Sequence, residues 1–118
     1  MYVDGFVVPI KKDRIDDYRK LAELAGKVWM EHGAVSYVES IEDDVPEGKV
    51  TSFALSVKRE EDEVVGFSWV TYESRQSRDE VMAKVMADER LSMTDRSNSP
   101  MGLERMFFGG FESIVDLG

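Results

Sequence analysis

The chain has 118 residues, no cysteine, and 24 acidic against 15 basic side chains, for a formal net charge of −9. That length makes one domain able to bury a core without covalent staples, and the missing thiols exclude disulfides, thiolate zinc sites and cysteine nucleophiles together. An acidic chain repels phosphate backbones unless it concentrates a basic patch, and the closest basic neighbours, Lys11 with Lys12, Lys58 with Arg59 and Arg75 near Arg78, all have acids beside them, so no nucleic-acid partner is expected.

The chain opens directly on a strand pattern, Tyr2 to Val8. No basic stretch, apolar signal core or long apolar run is seen, so a cytoplasmic setting without membrane insertion is expected. Tyr2, Asp4, Phe6 and Val8 share one face of this strand and Val3, Gly5 and Val7 the other, which fits a strand covered on both sides. Pro9 is expected to end it, because proline cannot donate a ladder hydrogen bond. Asp13 to His32 reads as an amphipathic helix, with Ile15, Tyr18, Leu21, Ala22, Ala25, Val28 and Trp29 at helical spacing, Asp13 as N-cap and Gly33 at the C-terminal cap. Ala34 to Ile41 is a second strand, followed by an acidic Pro/Gly loop, Glu42 to Gly48.

Val50 to Val57 alternates and predicts a third strand, joined through the charged turn Lys58 to Glu63 to a hairpin partner, Val64 to Tyr72. A second helix is predicted from Ser74 to Ala87, with Ser74 as N-cap and Val81, Met82, Val85 and Met86 as its buried stripe. Asp88 caps a short extra helix through Met93, Thr94 to Gly102 is a polar loop, and Leu103 to Phe111 is the closing strand. The order β-α-β-β-(β)-α-β predicts an α+β, ferredoxin-like two-layer domain with an antiparallel sheet, spanning residues 1–118 as a single unit.

Four stretches carry a resemblance: Tyr2-Val3-Asp4-Gly5-Phe6-Val7-Val8; Asp43-Asp44-Val45-Pro46-Glu47-Gly48-Lys49-Val50-Thr51; Phe67-Ser68-Trp69; and Arg105-Met106 with Gly109-Gly110-Phe111-Glu112. Together they resemble the YbaA-like family of small bacterial proteins of unknown function. The resemblance covers essentially the whole chain and implies a dimeric α/β barrel, in which two ferredoxin-like protomers pair sheet to sheet. It implies no established activity or catalytic residues. Haem-degrading members of that superfamily use an Asn on the first strand, a Trp in the sheet and a His on the second helix. Here the first strand carries Asp4 and the second helix has no His, so those roles are not carried over, although Trp69 matches by strand position.

Asp4 and Arg105 are charges set among apolar strand residues, and the first and last strands of a ferredoxin-like sheet are neighbours. They are read either as a cross-strand ion pair that sets register or as polar groups inside a barrel cavity. Trp69 and Phe67 are candidate cavity residues beside them. His32 is a weaker candidate base or ligand, read first as a residue that interacts with the helix C-terminus. Glu42, Asp43, Asp44 and Glu47 match no calcium loop and read as a solvated loop. The methionines Met82, Met86, Met93, Met101 and Met106 and the aromatics Phe53, Phe67, Trp69, Phe107, Phe108 and Phe111 read as packing or as the lining of a ligand cavity. The sequence carries no cofactor motif, metal-ligand cluster or recognisable catalytic set. The leading expectation is a homodimeric α/β barrel that holds a small apolar ligand. The alternatives are a cofactor-independent oxygenase and a structural or interaction module without ligand.

Overall fold

A computed structural model of the chain describes residues 1–92 and 96–118. It holds strands β1 (Tyr2–Lys11), β2 (Ser36–Ile41), β3 (Glu63–Tyr72) and β4 (Phe107–Glu112), and helices α1 (Ile15–Glu31), α2 (Phe53–Ser56), α3 (Arg75–Met86) and α4 (Glu89–Ser92). The strands form one four-stranded sheet in the order β2-β3-β1-β4, with every neighbouring pair antiparallel. The two crossovers are made by α1 and by α3 with α4, as the split β-α-β-β-α-β arrangement requires. Among the described residues, no helix is long and apolar enough to cross a membrane.

The register sorts the sheet into two faces, because paired residues of antiparallel neighbours point the same way. Tyr2, Asp4, Phe6, Val8 and Ile10 of β1 lie on the helix side with their β3 partners Tyr72, Val70, Ser68, Gly66 and Val64. The main core forms there, where Val28 and Trp29 of α1 and Val81 and Val85 of α3 pack with Tyr2, Val70 and Tyr72. The predicted helix stripes thus face the sheet, packing through these four residues, while Met86 at the end of the α3 stripe is 64% exposed. α1 begins two residues after Asp13, which sits in a 3-10 turn (Lys12–Arg14) and does not cap it; Arg14 occupies the N-cap position without a side-chain hydrogen bond. Gly33 follows α1 with φ +116°, a conformation that favours glycine. Ser74 caps α3, its hydroxyl accepting from the Ser77 amide.

Three expectations are corrected. Val50 to Val57 is not a strand, so β3 has no hairpin partner there and pairs instead with β1 and β2. Its alternation competes with a capping signal: Ser52 accepts the Leu55 amide at 2.9 Å and the Ser56 hydroxyl donates to the Phe53 carbonyl at 2.6 Å, winding one helical turn. That turn buries Ala54 and Val57, three residues apart, on Val7 and Val65, and leaves Val50 98% exposed.

Pro9 does not end β1. The strand runs to Lys11, and near Pro9 the neighbouring segment forms a single bridge at Ile10 and Met101. That bridge uses the Pro9 carbonyl, which accepts from Gly102 at 2.9 Å, and the Lys11 amide, which donates to Pro100 at 2.9 Å. Neither bond needs a proline N–H. Finally, Leu103–Arg105 forms a 3-10 turn and β4 starts only at Phe107. The short helix after Asp88 is present as Glu89–Ser92; Met93 and the start of the polar loop, Thr94 and Asp95, lie outside the described residues.

Candidate functional site

Between the helix side of the sheet and α1, α3 and α4 lies a cavity of about 340 Å³, at the small end of the range typical of ligand pockets. All four strands contribute to its floor through Phe6, Val8, Tyr37, Glu39, Ser68 and Phe108. Leu21, Ala22 and Ala25 of α1, Met82 and Met86 of α3, and Met101 and Met106 of the segment before β4 supply most of the remaining wall. The helical stripe predicted for α1 is therefore divided in use: Val28 is fully packed, while Leu21, Ala22, Ala25 and one side of Trp29 border the cavity. Thioethers suit such a wall because they are polarizable and adapt to irregular shapes.

The polar part of the lining is concentrated on one carboxylate. Glu39 faces the helices from the edge strand β2. The Tyr18 hydroxyl donates to its Oε1 at 2.7 Å and the Tyr37 hydroxyl donates to its Oε2 at 2.6 Å. Burial, reinforced by the charge of Glu39, pushes both phenols up from their ordinary value, so they remain protonated at neutral pH. The contact depends on a close approach of α1 to β2. Gly26 permits it: a Cβ at that position would lie 2.9 Å from Cδ1 of Tyr37. The outer side of the same Tyr18–Glu39–Tyr37 group borders a second groove, along which Arg19, Glu23 and Lys27 run.

Asp4, singled out from sequence, is 1% exposed, but Arg105 is not its partner. Arg78 Nη1 donates to Asp4 Oδ1 at 2.8 Å and the Tyr72 hydroxyl donates to Oδ2 at 3.0 Å. Tyr72 in turn accepts from Trp29 Nε1 at 3.0 Å, and the Arg78 guanidinium lies 4.9 Å from the centre of the Tyr2 ring. The correction follows from the faces. Asp4 points toward the helices, whereas Arg105 precedes β4 and reaches Glu63, whose pairing with Lys11 puts it on the opposite face. Arg105 holds both Glu63 oxygens at 2.7 Å and also donates to the Val57 and Lys58 carbonyls. That bidentate grip holds the Glu63 carboxyl below its ordinary value despite its burial. The α3 spacing carried the signal for the true partner, since Arg78 precedes Val81 and Val85 by three and seven residues on one face.

Trp69 and Phe67 also lie off the cavity. Their register partners Gly5 and Val7 put them on the sheet face that α1 and α3 do not cover, where Phe67 lies edge-on to Phe53 and tilted against Trp69, with ring centres 5.6 Å away on each side. Phe107 and Phe111 share this face through Val7 and Val3. Of the methionines and aromatics named from sequence, Met82, Met86, Met101, Met106 and Phe108 line the cavity. His32 is not among the lining residues. Its ring lies 2.9 Å from Asp88 Oδ2 rather than on the carbonyls that end α1, in a surface network where Arg90 and His32 hold the Asp88 carboxyl well below the usual range. In the acidic loop, Glu42 accepts the Val65 amide at 2.7 Å and Arg59 at 2.6 Å, and Arg59 also binds Glu47. Those contacts are structural, and among the described residues no group of acids or histidine is placed to hold a metal ion.

The family model of a protein of unknown function, DUF1428, matches residues 1–103. The chain belongs to this family. It is 47% identical to the uncharacterized protein YbaA of Escherichia coli K12 over 115 residues, which is 98% of this chain and 97% of YbaA, and equally so to YbaA of Shigella flexneri. The resemblance read from the four sequence stretches therefore holds. The crystal structure of protein Atu4242 from Agrobacterium tumefaciens superposes with a TM-score of 0.56 at 20% identity, covering 95% of this chain and 92% of that one; it shares the fold.

Proposed function

We propose that the protein is a small-molecule-binding homodimer, with one largely apolar ligand held in the helix-side cavity of each protomer. The observation that carries this is the cavity itself: about 340 Å³ of space inside a two-layer domain, walled by methionine and aromatic side chains and focused on one carboxylate. Apolar walls around a few convergent polar groups are the usual composition of a ligand site. The test is extraction of small molecules from protein purified without denaturant, compared with Ala25→Trp, which places an indole where the ligand would sit. The variant is expected to keep its fold and lose a molecule that the native chain carries. Identical extracts from the two proteins would contradict the reading.

Pairing is inferred from the other sheet face. Beyond Val7 and Val65, which α2 covers, Val3, Gly5, Val38, Phe67, Trp69, Phe107 and Phe111 fall on it by register, and Phe67 and Phe111 are 40% and 66% exposed. These residues are uncharged in a chain of net charge −9. Two like-charged copies approach with least repulsion through such a face, and a two-fold pairing covers it on both at once. Phe67→Asp is expected to yield a folded monomer in analytical ultracentrifugation at micromolar concentration; a native chain that is itself monomeric there would overturn the pairing.

A further inference from the structure

We infer that the cavity selects small apolar molecules that end in a protonated amine, held by Glu39 together with the hydroxyl oxygens of Tyr18 and Tyr37. This rests on the reading of the cavity as a ligand site and names the ligand's chemistry.

The inference starts from hydrogen-bond accounting. A phenol has one hydrogen to give. Tyr18 gives its hydrogen to Oε1 of Glu39, and Tyr37 gives its own to Oε2. Toward the cavity, both phenol oxygens are therefore left with acceptor capacity only. A carboxylate has about four lone-pair positions, and the two tyrosines use one on each oxygen. The polar corner thus offers acceptors and a negative charge. A ligand that meets it well has to donate.

The second observation is a contrast between carboxylates. Asp4 has Arg78 at 2.8 Å, Glu42 has Arg59 at 2.6 Å, and Glu63 has Arg105 at 2.7 Å. Among the residues whose side chains are described, Glu39 has no cation within 4.0 Å and no Lys, Arg or His lines the cavity. The basic side chains Arg19 and Lys27 of α1 line the outer groove, and Arg19 is tied to Asp16 at 2.6 Å. Glu39 is half-buried, and its carboxylate is hydrogen-bonded by two neutral phenols that leave its charge without a counter-ion. A ligand ammonium supplies the missing charge. Its three N–H donors match three acceptors, one on Glu39 and one on each tyrosine. The apolar body then rests on Phe6, Met82, Met101 and Met106. Carboxylate or phosphate ligands would meet like charge at the same corner and are disfavoured.

The experiment is calorimetric titration with phenylbutylamine, phenylbutanol and phenylbutyrate, which share a body and differ in head-group charge. The native protein is expected to bind the amine about tenfold tighter than the alcohol, because the ammonium brings an opposite charge and three donors where the alcohol brings no charge and one, and to bind the acid weakest. Glu39→Gln keeps the size of the side chain and is expected to abolish the preference for the amine over the alcohol. Equal binding of amine and alcohol by the native protein, or a preference that survives Glu39→Gln, overturns the inference alone. Binding of none of the three overturns the ligand reading and the inference with it. The native series decides the question by itself if the variant does not fold.

Discussion

Removing Arg78 should destabilise the domain more than its position near the surface suggests. Asp4 is 1% exposed, and its oxygens are held by Arg78 and Tyr72. In Arg78→Met the carboxylate keeps only the phenol, so a buried charge loses its counter-ion. Breaking a buried pair from one side costs about 3–5 kcal/mol. The Arg78 side chain is 18% exposed, so water can reach part of the vacated space and the lower end of that range, about 3 kcal/mol, is expected, with a further ~0.5 kcal/mol from the lost contact with the Tyr2 ring. Asp4→Asn should cost about 2–3 kcal/mol by stranding the guanidinium against Tyr2. The double variant should cost less than the sum, with a coupling of about 2 kcal/mol. Urea unfolding followed by circular dichroism, at one fixed protomer concentration, measures all four corners of the cycle. Additivity within about 0.5 kcal/mol, or a loss below that for Arg78→Met, would refute the pairing. The matching cycle of Asp4→Asn with Arg105→Met should be additive, because Arg105 serves Glu63.

Arg105→Met should show its effect through pH. The folded chain holds the Glu63 carboxyl below its ordinary value of 4.5, chiefly through Arg105, so this stabilisation is fully present above that value and is lost as pH falls through the lower folded-state value. The stability gap between native and variant protein is therefore expected at pH 7 and should narrow below pH 4.5; a gap that stays constant through acid unfolding would contradict the account. Gly26→Ala should gain up to about 1 kcal/mol of helix propensity but force the Tyr37 ring to move from a Cβ at 2.9 Å. Overpacking of that kind costs about 1–3 kcal/mol, so a net loss of about 1 kcal/mol is expected in thermal unfolding, and a net gain would show that α1 and β2 do not approach so closely.

The strands and helices that pack both layers together were legible because their periodicities were unopposed. α1, α3, β1 and β3 all follow their predicted faces. The failures share a cause: a local hydrogen bond outweighed the pattern. Ser52 and Ser56 turned an alternating segment into a helical turn, and the Pro9 carbonyl carried a bridge that its missing amide did not hinder. The Asp4–Arg105 pairing failed because the sequence does not give the register of β4 against β1, which pairs Asp4 with Gly110, and the start of β4 at Phe107 leaves Arg105 outside the strand. Glu39 was missed for a different reason. In sequence it is one acid among many on a polar-looking strand, Ser36-Tyr37-Val38-Glu39-Ser40, and its importance arises only when α1 brings Tyr18 to it across twenty-one positions. The alternation of Tyr37 and Glu39 on one face was the available signal.

The most direct test is the native mass of the protein taken from its host without denaturant. The expected species is two chains of 13.4 kDa carrying two copies of a small molecule, which leave together with loss of the amine-selective site in Glu39→Gln. A bare single chain at micromolar concentration, unchanged after incubation with phenylbutylamine, would contradict both the pairing and the ligand site.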